Sequence, residues 1–167
     1  MKKEYAKDLI ISYMYKEKLF QDGWKFEFSK HKTCAGMCYG WRKLIVLSGY
    51  YVEHNSDEEI INTMLHEIAH ALAPECEHHG KVWRAIFRDL LIKYNQPVNV
   101  SRCYDSQKVK MPKGKYLLYC TETWCGKKWE RHKKCWWFEH KNANDILTRV
   151  NCLCGSQSLK IKKRRNK

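Results

Sequence analysis

Apolar residues recur along this chain with two different periods, and the switches between them sketch a fold. Over residues 4–20, Tyr5, Leu9, Ile10, Tyr13, Met14 and Phe20 fall near helical spacing, and Asp22 and Gly23 end the run. Trp24, Phe26 and Phe28 then alternate with Lys25, Glu27 and Ser29, the period of two of a half-buried strand. Ala35-Gly36-Met37-Cys38-Tyr39 and Lys43-Leu44-Ile45-Val46-Leu47 read as two more strands, with Gly40-Trp41-Arg42 as the turn. Together they predict a three-stranded antiparallel sheet. Ser56 and Glu59 form a capping box, in which each side chain satisfies the other residue's backbone amide. The helix it opens runs to about Ala73, because Pro74 lacks the amide hydrogen to continue it. Val82, Trp83, Ile86, Phe87, Leu90, Leu91 and Tyr94 mark a further helix. A linker rich in Ser, Lys and Pro, residues 96–114, leads to a cysteine-rich segment at 115–160 and a basic tail at 161–167. No internal repeat is visible.

The helix that Ser56 opens carries His66-Glu67-Ile68-Ala69-His70. Four helical residues rotate the chain by about 400°, so both imidazoles leave nearly one face, a turn apart. That spacing lets two nitrogens bind one zinc ion, and it puts Glu67 within reach of a water as a general base. Ile60, Ile61, Met64, Leu65, Ile68 and Leu72 supply the apolar stripes that bury the helix. The plain alternative is two histidines and a glutamate satisfied in a core. A catalytic zinc usually has three protein ligands and an open position. A metzincin would need glycine at 73 and histidine at 76, but Ala73 and Cys76 stand there. The remaining candidates are His78 and His79, past the Pro74 turn, and Asp89 further on.

Composition changes this picture in two ways. A length of 167 residues suits one domain, or one with a small appendage. No apolar run approaches a membrane span. The charged start, Met1-Lys2-Lys3-Glu4, is unlike a signal peptide, which suggests a protein kept inside a cell, nuclear if the host is eukaryotic. Nine cysteines, an odd number, then favour metal ligands and buried thiols over a disulfide framework. The net charge of +14 is also uneven. Residues 1–100 hold 14 Lys/Arg against 13 Asp/Glu, whereas residues 101–167 hold 18 against 5. A near-neutral body joined to a strongly basic third points to a polyanionic partner, or else to a solvated surface.

Several of these segments occur together in a known family. Trp24 to Trp83 resembles the SprT-like zinc metallopeptidases, which include the Spartan-type DNA–protein crosslink proteases. The resemblance is carried by Gly23-Trp24, Ala35-Gly36-Met37-Cys38 and Ile45-Val46-Leu47-Ser48. It continues through Asn62-Thr63-Met64-Leu65-His66-Glu67-Ile68-Ala69-His70-Ala71-Leu72 and His79-Gly80-Lys81-Val82-Trp83. It implies a zincin-like protease domain with an open cleft, and members of the family couple to DNA through basic or zinc-binding elements. The histidine of the His-Gly-x-x-Trp motif is the family's third zinc ligand, which points to His79.

In the second half, Cys120 and Cys125 precede Gly126, and Cys152 and Cys154 precede Gly155, like two knuckles pinching one structural zinc. The usual spacing is two residues inside each knuckle, and here it is four and one, so Cys135, His132 or His140 are alternatives for one ligand. Cys34, Cys38, Cys76 and Cys103 read as small apolar residues. Between the knuckles, Lys127, Lys128, Trp129, Arg131, Lys133 and Lys134 interleave cations with aromatics, among them Trp136, Trp137 and Phe138. That pattern suits phosphates held by charge and unpaired bases stacked on rings. The rings could equally fill the core of a small ribbon. Residues 160–167 add six cations, including Lys162, Lys163, Arg164 and Arg165, and read as a disordered arm for phosphates or as a nuclear-import signal.

The reading is an α+β chain: a protease domain at 1–95, a linker, a small β zinc ribbon and a basic tail. It expects one catalytic zinc on His66, His70 and His79, one structural zinc, Glu67 as general base, and a protein substrate on DNA, with single strands preferred. Two rivals are a zinc protease whose substrates are unrelated to DNA and a non-enzymatic ribbon that binds nucleic acid. The intact Glu67 argues against the second.

Overall fold

The computed structural model describes residues 1–74, 77–100, 110–133 and 152–164. They form two compact units, residues 1–112 and 113–167, each mixed or β in character.

The first unit opens with helix α1, Lys3–Lys16, which buries Ala6, Ile10, Tyr13 and Met14 and leaves Tyr5 exposed. The helix ends four residues before Phe20. Lys18 takes a left-handed φ of 61° and Leu19 donates to the Met14 carbonyl at 2.9 Å, a Schellman-type stop that turns buried Leu19 back into the core.

Strands β1 (Lys25–Ser29), β2 (Gly36–Tyr39) and β3 (Leu44–Ser48) form one sheet in the order β1-β3-β2. The sheet is mixed, which corrects the antiparallel expectation: β2 pairs antiparallel with β3, but β1 pairs parallel with it. The cause is burial. Every residue of β3 is buried, so this most apolar strand takes the centre. The 3-10 turn Gly40–Arg42 folds β3 back along β2, and β1 is left to take β3's other edge, running the same way.

Helix α2, Gly49–His54, follows directly and has no counterpart in the sequence pattern. It is six residues long, too short to establish a period, and Ser48 caps it by accepting from the Tyr51 amide at 3.3 Å. Helix α3, Asp57–Leu72, starts where the cap predicts, with Ser56 Oγ accepting from the Glu59 amide at 3.3 Å. It packs on β2 and on helix α4, Lys81–Lys93.

The first unit does not stop at residue 95. Val100 and Met111 pack on its core, and Asn55 brackets the Lys110 backbone, donating to its carbonyl at 3.1 Å and accepting from its amide at 2.6 Å.

The second unit is an antiparallel sheet in the order β5-β4-β6, from β4 (Tyr116–Cys120), β5 (Lys128–Arg131) and β6 (Leu159–Lys163). Strand β6 occupies much of the segment read from sequence as a disordered basic arm. The lysine run hides a period of two, in which Leu159 and Ile161 join the core while Lys160 and Lys162 face water. Among the described residues, no helix is long and apolar enough to cross a membrane.

Candidate metal centres

Two groups of metal-ligating side chains converge among the described residues, one in each unit. In the first unit, α3 presents His66 and His70 and the turn before α4 presents His79. Their Nε2 atoms lie 3.3 Å (His66 to His70), 3.1 Å (His70 to His79) and 3.2 Å (His79 to His66) apart. Tetrahedral zinc at about 2.0–2.1 Å from each nitrogen would set them roughly 3.3 Å apart, so the three imidazoles are compatible with zinc. Burial pushes the His66 imidazole down to about 3, helped by His70 and His79 beside it. The same causes hold His70 at about 4, burial first and then His79 and His78. Both rings are therefore neutral near pH 7, the form that offers a lone pair to a metal.

The turn that delivers His79 is tightly made. Glu77 folds back so that its Oε1 accepts from the Val82 amide at 2.7 Å, capping α4. Gly80 leaves room for this: a Cβ there would come within 2.5 Å of Glu77 Oε1. His78, the alternative ligand, is exposed with a left-handed φ of 45°, and Asp89 is exposed on α4. Neither belongs to the histidine group.

Trp83 forms the floor under all three imidazoles. Its ring centroid lies 4.7 Å from His66, 5.1 Å from His70 and 4.6 Å from His79, and the side chain is fully buried. The helical period places Trp83 in the core but gives no sign that it supports the three rings.

Glu67 is buried beside this group, and burial raises its carboxyl to about 8. It faces a cleft of about 640 Å³ whose walls include His66, His70, His79, Gly36, Cys38 and Trp41. Trp41 projects from the 3-10 turn at 80% exposure, an unusual setting for so large an apolar ring. Cys38 is half-buried in the cleft wall, its thiol pushed up to about 12 by burial and then by Glu67. Cys34 is half-buried as well and raised by the same two causes, burial first. Cys76 and Cys103 lie outside the described residues.

In the second unit the sulfurs of Cys120, Cys125, Cys152 and Cys154 lie within 4.8 Å of one another. Cys120 to Cys154 is 3.9 Å and Cys125 to Cys152 is 3.5 Å, compared with roughly 3.8 Å between thiolates on a tetrahedral zinc. The irregular spacing is absorbed by the turns. Gly126 and Gly155 take φ of 61° and 88°, conformations open to glycine. Ser156 Oγ donates to Glu122 Oε1 at 2.8 Å, tying one knuckle to the other. Burial alone would raise the Cys152 thiol, but the Cys154 amide and the three neighbouring thiols outweigh it and bring it down to about 7. His132 is not in this group, and Cys135 and His140 lie outside the described residues.

The cations named from sequence meet different fates. Lys127, Lys128, Arg131, Lys133, Lys162 and Lys163 are exposed, whereas Arg164 pairs with Glu130 at 2.7 Å. Trp129 packs against the small core of the second unit, which removes it as a free stacking ring. Trp124, in the first knuckle, is instead the exposed ring, at 71%. Lys134, Arg165, Trp136, Trp137 and Phe138 lie outside the described residues.

The model of the SprT-like family matches residues 9–103, which include β1 to α4 and the histidine group. No curated protein and no solved structure matches the chain.

Proposed function

The chain belongs to the SprT-like family, whose domain is zinc-dependent and protease-like, and from that premise we propose that it is a zinc endopeptidase acting on DNA-associated proteins. The observation that carries the protease reading is the convergence of three imidazoles beside a buried Glu67 on one cleft. His66, His70 and His79 would hold a zinc ion. When bound, zinc supplies Lewis acidity, which polarises a peptide carbonyl and acidifies a water. A cation held there would favour the ionised form of Glu67 against the burial that raises its pKa. The carboxylate would then take a proton from the attacking water as the water oxygen bonds to the carbonyl carbon. It then returns the proton to the leaving nitrogen as the C–N bond breaks. Trp83 keeps the three ligand rings in register, and the four cysteines would hold a second, structural zinc.

The DNA reading rests on charge. Residues 113–167 carry 15 Lys/Arg against 4 Asp/Glu, whereas residues 1–112 carry 17 against 14. Lys127, Lys128, Arg131, Lys133, Lys162 and Lys163, with Lys160 beside them, meet phosphates, and exposed Trp124 offers a face to an unpaired base.

The test is cleavage of a DNA-binding protein by the zinc-loaded chain, with no DNA, duplex or single strands. Cleavage should rise when DNA is added. Glu67→Gln should keep its zinc and lose roughly 10²–10⁴-fold in rate, because an amide cannot take the proton. Normal turnover by that variant would refute the general-base assignment, and cleavage indifferent to DNA would leave a protease without a DNA substrate.

A further inference from the structure

Glu67 is reached across the cleft wall by an unusual neighbour. A Cβ placed on Gly36 would lie 2.8 Å from Glu67 Cγ, 2.8 Å from its Oε1 and 3.1 Å from its Cδ. Carbon atoms do not approach so closely, so any residue but glycine at 36 would force something to move. The backbone does not explain the glycine. Gly36 lies in β2, paired with Leu47, and is not among the glycines with positive φ. A glycine in such a strand loses more freedom on folding than any other residue and contributes no side chain to packing. What needs the space is the Glu67 side chain, pressed from α3 against β2.

We propose that Gly36 is a positioning residue for Glu67: the gap at this point of β2 is the slot that holds the carboxylate in one orientation beside the three imidazoles. The proposal rests on the reading of Glu67 as the general base. A glutamate has three rotatable bonds, and α3 fixes only where its side chain begins. The wall of β2 selects among the remaining conformers. Cys38, two residues along, points to the same face by strand alternation, and its thiol feels the Glu67 charge. The contact with Cγ matters most. The carboxylate end could swing away from a new methyl group, but Cγ moves only if χ1 changes or if β2 retreats. Either change takes the carboxylate from its place while leaving His66, His70 and His79 on α3 and its following turn.

The test is a double-mutant cycle in the full-length zinc-loaded protein, using Gly36→Ala, Glu67→Ala and the pair. Gly36→Ala should lower the melting temperature in the wild-type background. It should not lower it in the Glu67→Ala background, where Cγ, Cδ and Oε1 are gone. In the single variant, zinc content and KM should match wild type while kcat falls at least tenfold, since the loss concerns only the reacting step. If Gly36→Ala alone does not fold, recovery of the fold in the pair is the expected result. An equal loss of melting temperature in both backgrounds overturns the slot, as does a wild-type kcat in Gly36→Ala. If the thermal coupling appears but Glu67→Gln still cleaves at the normal rate, the slot stands and the general-base reading is the part that fails.

Discussion

The three imidazoles of residues 1–112 hang from elements that share a core of twenty buried residues among those described. Among the described residues of 113–167 the buried core is Leu118, Cys120, Cys152 and Leu159, so two of these four are themselves candidate ligands. In the first case the fold makes the site: α3, the Glu77 cap and the Trp83 floor place three nitrogens together by packing. In the second the expected order is reversed: three short described strands carry few apolar residues, and a metal held by the four thiols would be what fixes them together.

That difference is easiest to break at the cysteines. Cys152→Ser, or chelation, should unfold the second unit outright. Structural zinc contributes about 10–16 kcal/mol in small domains, more than such a unit has to spare. His79→Ala should remove the other zinc and leave the first unit folded. Amide dispersion in NMR and zinc counted by mass spectrometry would check both, and a second unit still dispersed after chelation would overturn the contrast.

The next largest effect concerns charge, and it sharpens the comparison. Zinc-loaded residues 113–167 should bind DNA with an affinity that falls roughly 10³-fold between about 50 and 200 mM salt, as phosphate contacts release counterions. Residues 1–112 should bind weakly at any salt. Fluorescence anisotropy on the two fragments would show it, and equal binding by both would remove the DNA anchor from the second unit.

The smallest effect tests whether packing makes the first site. Trp83→Ala should cost about 3–5 kcal/mol, the range for emptying a fully buried aromatic position. It should also weaken zinc affinity, since three rings lose their floor. Calorimetry and zinc titration report the two losses separately. Unchanged zinc affinity would mean that the ligands are placed by α3 and the Glu77 turn alone.

The helix with its two histidines was legible because Ser56, the apolar period and Pro74 all agree on one element. Strand β1 was legible by alternation and β2 and β3 as short apolar runs, but neither signal says which strand lies between which, so the parallel pairing of β1 and β3 was not. The slot at Gly36 was invisible for a related reason: its cause is Glu67, thirty-one positions away, and nothing local marks it. Trp83 showed only its burial. In the second unit, charge obscured structure, since the lysines of β6 masked Leu159 and Ile161, and the rings at 124 and 129 could not be sorted into exposed and packed. The gathering of four sulfurs despite a four-and-one spacing depended on two left-handed glycines whose conformations sequence allows but does not require.

The order β1-β3-β2 also bears on how the chain comes off the ribosome. The strand at the centre of the sheet is the last of the three to be made, and β1 and β2 are not neighbours in it. At roughly 5–20 residues per second, the nascent chain therefore carries two unpaired strands for roughly half a second to two seconds before Ser48 is added. A product stalled before Leu44 would have no sheet to close and would expose strand edges open to other chains. The histidine helix is synthesised only after this interval, so the first site cannot assemble on an unfinished sheet.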